Sequence, residues 1–293
     1  MHKRPMSAPI TQPNRLPVRD SVGAALRFVR ENWRFIAAAA AAGAVATTIA
    51  GALALAVPPL GIVTSLASGF IQATTYAAFT GAMLFGAAAT RGRLAGDGGR
   101  VWVAMAIIAF FMMLVMVVLT IPVFMALAVG PMAPYRDDLA AAGQDRERVS
   151  AIMLQFAEAN PGALLLVALF YFAVWFVLTS RLYIAAPASV DQQRILSFET
   201  WAWTKGATLR IIGARLMLLL PANIFVGALG YLIGQAVGVN TIDVVAATTA
   251  AAANPVGFLT YILISTFLTF ALYSALEAGL SAAIYQRLKP PAR

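Results

Sequence analysis

The sequence has no cysteine and a single histidine, His2. The first absence excludes disulfides, thiolate metal sites and cysteine nucleophiles. The second confines any imidazole chemistry to the first few residues. Charge is scarce as well. Only 11% of the 293 residues are Asp, Glu, Lys or Arg, against about 25% in ordinary soluble domains. No GxxxxGK[ST] loop, HExxH helix, GxSxG elbow or EF-hand loop occurs. The run Gly96-Asp97-Gly98-Gly99 is too short for a phosphate cradle and reads as a turn. These absences lead to the expectation of no enzyme, no cofactor and no metal centre.

What remains is mostly apolar: 61% of the residues are hydrophobic. Long apolar runs alternate with short charged stretches, the pattern a bilayer imposes. A helix needs about 20 apolar residues to cross about 30 Å of hydrocarbon. Six such runs are expected to be membrane spans, at about 34–57, 60–89, 101–129, 162–186, 207–238 and 256–284. Proline and glycine punctuate them: Pro58 and Pro59 end the first, Pro187 stops the fourth, and Asn254-Pro255 caps the sixth. The expected fold is all-α, a polytopic helical membrane bundle forming one domain over 20–293. Residues 1–19, proline-rich and basic, read as a disordered tail. They do not read as a secretory leader, because no apolar core follows their basic residues.

Two connections carry amphipathic patterns on the basic side. Over 20–36, Val22, Ala25, Leu26, Val29, Trp33 and Ile36 recur at helical spacing, with Arg27, Arg30, Glu31 and Arg34 opposite. Over 187–206, Ile195, Phe198, Trp201 and Ala202 share a stripe, with Trp203 and Lys205 nearby and Ser189 and Gln192 fitting a capping box. Both read as interfacial helices, anchored by Trp33, Arg27, Arg30 and Arg34 in one case and by Trp201, Trp203 and Lys205 in the other, with the first open to the alternative of a short cytoplasmic lead-in that only orients the first span. A third short helix is expected within 135–161, where Val149, Ile152, Phe156 and Ala159 align.

The basic residues set an orientation. Of 21 Lys and Arg, 18 fall in the N-terminal segment, the 91–100 turn, the 181–215 region and the C-terminal end. Only Arg136, Arg146 and Arg148 fall elsewhere. The positive-inside rule then puts both termini in the cytoplasm. The net charge of +9 is accordingly assigned to cytoplasmic loops facing anionic lipid headgroups, with nucleic acid not expected as a partner. The alanine-rich composition suggests a bacterial inner membrane.

Within the spans, Glu277 is the acid that lies well inside the apolar sequence. It sits ten residues before Arg287, about 15 Å along the helix axis. A charge there costs several kcal/mol unless paired or wetted. Two readings stand: a proton- or cation-handling carboxylate, or a buried bridge to Arg181, Arg210 or Arg215. Gln72 and Asn223 are further polar candidates, and Pro221 is expected to kink the fifth span. Small-residue ridges recur at four-residue spacing, as in Ala39, Gly43, Thr47 and Gly51, or Gly230, Gly234 and Gly238. They suit close helix packing within the bundle or between copies.

Residues 181–221 carry an Arg closing a span, a proline step, an amphipathic helix with tryptophan and a Thr204-Lys205-Gly206 turn. This stretch resembles the glycerophosphoryl diester phosphodiesterase membrane-domain family and related bacterial six-helix inner-membrane proteins. Arg181, Pro187, Asp191, Trp203, Thr204 and Gly206 match that family's pattern, while Ala202 stands where it has serine. The resemblance implies an all-helical membrane domain. It does not imply hydrolysis, because that chemistry belongs to a separate soluble domain. The expected function is a non-enzymatic membrane protein that organises lipid or a membrane partner, with homo-oligomerisation one form of this. The alternative is a small-molecule transporter or permease-like subunit.

Overall fold

A computed structural model describes residues 16–240 and 251–290. Residues 1–15 of the expected 1–19 tail, with His2, Lys3, Arg4 and Arg15, and the C-terminal Arg293 lie outside the described residues, while Val18 and Arg19 are not a tail but open the first helix. All regular structure among the described residues is helical. In chain order the helices are α1 (Val18–Glu31), α2 (Trp33–Ala56), α3 (Gly61–Phe85), α4 (Ala87–Thr90), α5 (Leu94–Val129), α6 (Arg136–Ala142) and α7 (Arg146–Ala159). They are followed by α8 (Pro161–Arg181), α9 (Ala185–Asp191), α10 (Glu199–Trp203) and α11 (Thr208–Ala236). The last long helix is α12 (Pro255–Leu268) and α13 (Ala275–Leu288), joined by a π-helical turn over Thr269–Ser274.

Five helices are long and apolar enough to cross a membrane: Trp33–Ala56, Leu94–Val129, Pro161–Asp191, Thr208–Ala236 and Pro255–Leu288. Six such runs were expected. The run at 60–89 is a helix of 25 residues, α3, but it is not in that group. Its apolar character is diluted by Thr64, Ser65, Ser68, Gln72, Thr74, Thr75 and Thr80. Several of these hydroxyls bond back to their own helix, as Thr64 does to Leu60 O at 3.1 Å and Thr75 to Ile71 O at 2.9 Å.

The chain divides into two compact units, residues 1–106 with 180–293, and residues 107–179. In the larger unit, α2 packs on α3 and α12, and α1 packs on α11 and α13. The ridge on α2 serves this packing, since Gly43 lies against Thr75 and Phe270. One core cluster joins Val22 and Ala25 of α1 to Ile184, Ile211, Leu218, Leu280, Ile284 and Tyr285. A second joins Phe28, Ile36, Ala40, Phe79, Phe270 and Ala278.

The first amphipathic stretch is therefore differently used from the expectation. It is not one interfacial helix over 20–36. Asn32 ends α1, its N–H and its Nδ2 both donating to Phe28 O at 3.0 Å, and α2 starts afresh at Trp33. The apolar face of α1 (Val22, Ala25, Phe28) is covered by protein. The approach is closest at Gly279, where an added Cβ would sit 3.1 Å from Phe28 Cδ1 and 3.3 Å from Ala25 Cα.

The expected helix over 187–206 is also replaced. Residues 182–190 are buried throughout and form the centre of the unit, packed on α3 and α13. Pro187 does not stop a span but lies within α9. Ser189 is no cap. Its hydroxyl donates to Ala185 O at 2.8 Å and accepts from Leu196 N at 3.0 Å, folding the following loop back onto α9. Gln193 takes a left-handed φ of 55° at the reversal, and Gly206 takes φ 83° before α11. Small side chains at Ala185, Ala186, Ala188 and Ser189 let this segment enter the core, where a bulky surface helix could not.

The glycine-rich turn is shorter than expected. Residues 94–100 form the first turns of α5, not a loop. Asp97, 2% exposed, holds Arg100 at 2.8 Å and Arg93 at 3.5 Å. Gly98 fits against Thr74, whose Oγ1 would lie 2.5 Å from an added Cβ.

In the smaller unit, α5 and α8 are joined by a hydrogen bond from Tyr171 Oη to Thr120 Oγ1 at 3.0 Å. Between them lie α6 and α7, the latter N-capped by Asp145, which accepts from Glu147 N and Arg148 N. Phe156 is buried there, edge-on to Tyr135 at 5.8 Å. Along α5 and α8 the side chains of Phe110, Val118, Phe124, Leu165, Leu166 and Phe172 are exposed. Such a surface suits an apolar surrounding.

Gly279→Val should lower stability by about 1–3 kcal/mol by overpacking, read as a drop in melting temperature in detergent. Gly227→Ala, where nothing lies within 4 Å of the added carbon, should be neutral or stabilising.

Candidate functional site

The π-helical turn over Thr269–Ser274 leads directly into α13 and Glu277. A π turn carries one more residue per turn than an α-helix and frequently accompanies functional sites. Just after it, Glu277 sits half-buried amid Tyr76 of α3, Tyr183, Arg215 of α11 and Tyr273, all within electrostatic reach of it or of one another. Tyr183 Oη donates to the backbone oxygen of Glu277 at 3.3 Å. Tyr76 Oη and Ser281 Oγ lie 2.7 Å apart, and Ser281 donates onward to Ala278 O at 3.1 Å. Tyr76 is therefore the donor of the pair.

Arg215 reaches the cluster from a helix face that is otherwise apolar, between Ile211, Ala214 and Leu218. Its Nη1 donates to Ser180 Oγ at 2.7 Å and its guanidinium lies 4.9 Å over the Tyr183 ring. Among the described residues the Glu277 carboxylate makes no hydrogen bond or ion pair. Arg215 attracts it through space without contact.

The other sequence candidates are placed elsewhere. Gln72 and Asn223 are exposed on α3 and α11 and do not join the cluster. The Pro221 position is part of a single continuous helix, α11. Arg181 organises the loop before α11: it donates to Trp201 O at 2.9 Å and Thr208 Oγ1 at 3.3 Å, and stacks 4.8 Å over Trp201. Arg210 is half-buried on α11. Trp33 is exposed, with Arg34 over its ring at 5.4 Å, and Arg27 and Arg30 are exposed beside it on α1. Trp201 and Trp203 are half-buried, Trp203 packing on the core near Tyr285, while Lys205 is exposed. Sequence reasoning missed Tyr76, Tyr183 and Tyr273. The available signal was Tyr273, four residues before Glu277 and so on its helix face.

The basic segments are tied to one another. Arg93 Nη2 donates to Val190 O at 3.0 Å. Tyr285 Oη donates to Asp191 Oδ2 at 2.6 Å, and Lys289 lies 3.5 Å from the same oxygen. Arg287 and Asp20 approach to 3.9 Å at the surface. These contacts bring together the N-terminal helix, the 91–100 turn, the 185–206 connection and the C-terminal end, four segments that the charge count assigns to one side.

No protein-family model, curated protein or solved structure matches the chain. Among the described residues no group of three or more His, Cys, Asp or Glu is placed to hold a metal ion.

Asp97→Ala should cost about 2 kcal/mol, since it strands two part-exposed arginines at a buried site. Tyr285→Phe should cost about 1–2 kcal/mol by removing a hydrogen bond to a carboxylate. Thermal unfolding of the purified variants measures both.

Proposed function

We propose that the protein is a multi-pass integral protein of a bacterial cytoplasmic membrane, non-enzymatic, that organises anionic lipid or a membrane partner through its basic end. The observation that carries this reading is the exposure of Arg27, Arg30, Arg34, Arg91, Arg194 and Lys205 on segments where Asp97 and Asp191 are paired within the protein and the exposed acids Asp20, Glu31 and Glu199 are fewer than the exposed cations. The exposed cations are thereby left facing outward, and exposed Trp33 adds an interfacial ring beside them. Basic side chains near an anionic surface contribute about 1 kcal/mol each.

In this reading α3 is the second of six spans, with Thr64, Thr75 and Thr80 buried within the protein, and both termini are cytoplasmic. The resemblance over residues 181–221 supports the same topology. A second reading, a transporter or permease-like subunit, is favoured by the Glu277 cluster, a polar station inside an apolar helix.

Two measurements test the proposal. A fluorescent-protein fusion after Arg293 should glow in intact cells, and alkaline phosphatase inserted between Gly143 and Gln144 should be active; the reverse pair overturns the topology. Phosphatidylglycerol should raise the melting temperature in nanodiscs, and replacing Arg27, Arg30 and Arg34 by Gln should remove most of that rise. An unchanged rise in the triple variant rejects the lipid role of these residues.

A further inference from the structure

We propose that Glu277, Tyr273 and Arg215 form a binding site for a zwitterion that pairs an ammonium with an oxyanion, the chemistry of a phosphoethanolamine group. The inference rests on the reading of residues 255–288 as membrane-spanning.

Two opposite charges in a medium of low dielectric attract strongly, and side chains free to do so close into a contact pair. Here they do not. Arg215 is held by Ser180 Oγ at 2.7 Å and by the Tyr183 ring at 4.9 Å. Glu277 stays within its electrostatic reach, but its carboxylate has no direct partner among the described residues. The Tyr273 hydroxyl, one helical turn earlier, likewise has no hydrogen-bond partner among them and is part-exposed. The cluster thus offers an anion, a cation and a free phenol, at a half-buried place bordered by Tyr76 and Tyr183.

A simple cation would satisfy Glu277 and meet repulsion from Arg215. A simple anion would do the opposite. A neutral ligand carrying both charges satisfies both. Its ammonium donates to the Glu277 carboxylate. Its oxyanion accepts from Tyr273 Oη and is attracted by Arg215. Such a group is found on phosphatidylethanolamine lipids and in free solutes, and the site chemistry is shared by both.

The test uses the full-length protein, extracted from membranes that first withstand an alkaline carbonate wash. Release by that wash defeats the membrane reading itself, separately from the site. Native mass spectrometry then counts phosphatidylethanolamine, phosphatidylcholine and phosphatidylglycerol retained from an equal mixture. In a parallel arm, free O-phosphoethanolamine is added to protein in phosphatidylcholine nanodiscs and the melting temperature is read. Wild type should retain phosphatidylethanolamine about tenfold more than Glu277→Gln does, as loss of one charge-assisted hydrogen bond implies. Tyr273→Phe, which keeps the ring, should show an intermediate loss and serves if Glu277→Gln folds poorly. A melting shift with the free compound that Glu277→Gln abolishes supports the same site with a soluble ligand. Equal phosphatidylethanolamine retention by wild type and both variants, with no shift from the free compound, overturns the proposal. Phosphatidylcholine retained as well as phosphatidylethanolamine, and lost equally in Glu277→Gln, overturns it too, while phosphatidylglycerol held by the basic end is told apart by its loss in the Arg27, Arg30 and Arg34 triple variant.

Discussion

Hydrocarbon offers no hydrogen bonds, so a polar group on a long apolar helix must find its partner within the chain. That constraint explains much of the detail above. Thr48 bonds to Ala44 O, Ser265 to Tyr261 O and Thr269 to Ser265 O, each closing a hydroxyl onto the preceding turn of its own helix. Tyr76 and Ser281 satisfy each other across two helices. The same demand sorts charge. Asp97 and Asp191 are matched by neighbouring arginine, lysine or tyrosine, at the places where basic segments converge.

The 182–190 segment shows a second use of the rule. A short helix with its backbone in the core has end groups to satisfy, and Ser189 meets part of that need by linking Ala185 O to Leu196 N. Arg93 takes another carbonyl of this helix, that of Val190. Polar side chains here work on behalf of the main chain. Along α5, α8 and α11 many large apolar side chains are exposed, as the proposed membrane setting requires.

Legibility in the sequence followed the range of the interaction. The Asn254-Pro255 start of α12 was readable because a cap is local: Asn254 Oδ1 accepts from Gly257 N at 2.9 Å. The short helix within 135–161 was readable from its apolar stripe, and the structure starts it at Arg146 behind an Asp145 cap that was not singled out. Long apolar runs announced the helices, though α3 was counted as apolar despite its hydroxyls. The fate of 187–206 was hidden, because Ala, Ser and Pro suit a surface helix and a close-packed core equally well. The tyrosines around Glu277 come from positions 76, 183 and 273, and only tertiary packing unites them. Glu277 and Arg215 could be singled out by charge. That they approach without touching could not.

The docking of α1 has a bearing on biogenesis. Its apolar face is covered by α11 and α13, which leave the ribosome long after Val22, Ala25 and Phe28 do. On the proposed topology, the nascent helix has a finished amphipathic face and no protein yet made to receive it. The membrane surface is then its waiting place, with Arg27 and Arg30 turned to the headgroups. Arrival of Gly279 lets the helix exchange the lipid surface for the protein surface that covers it.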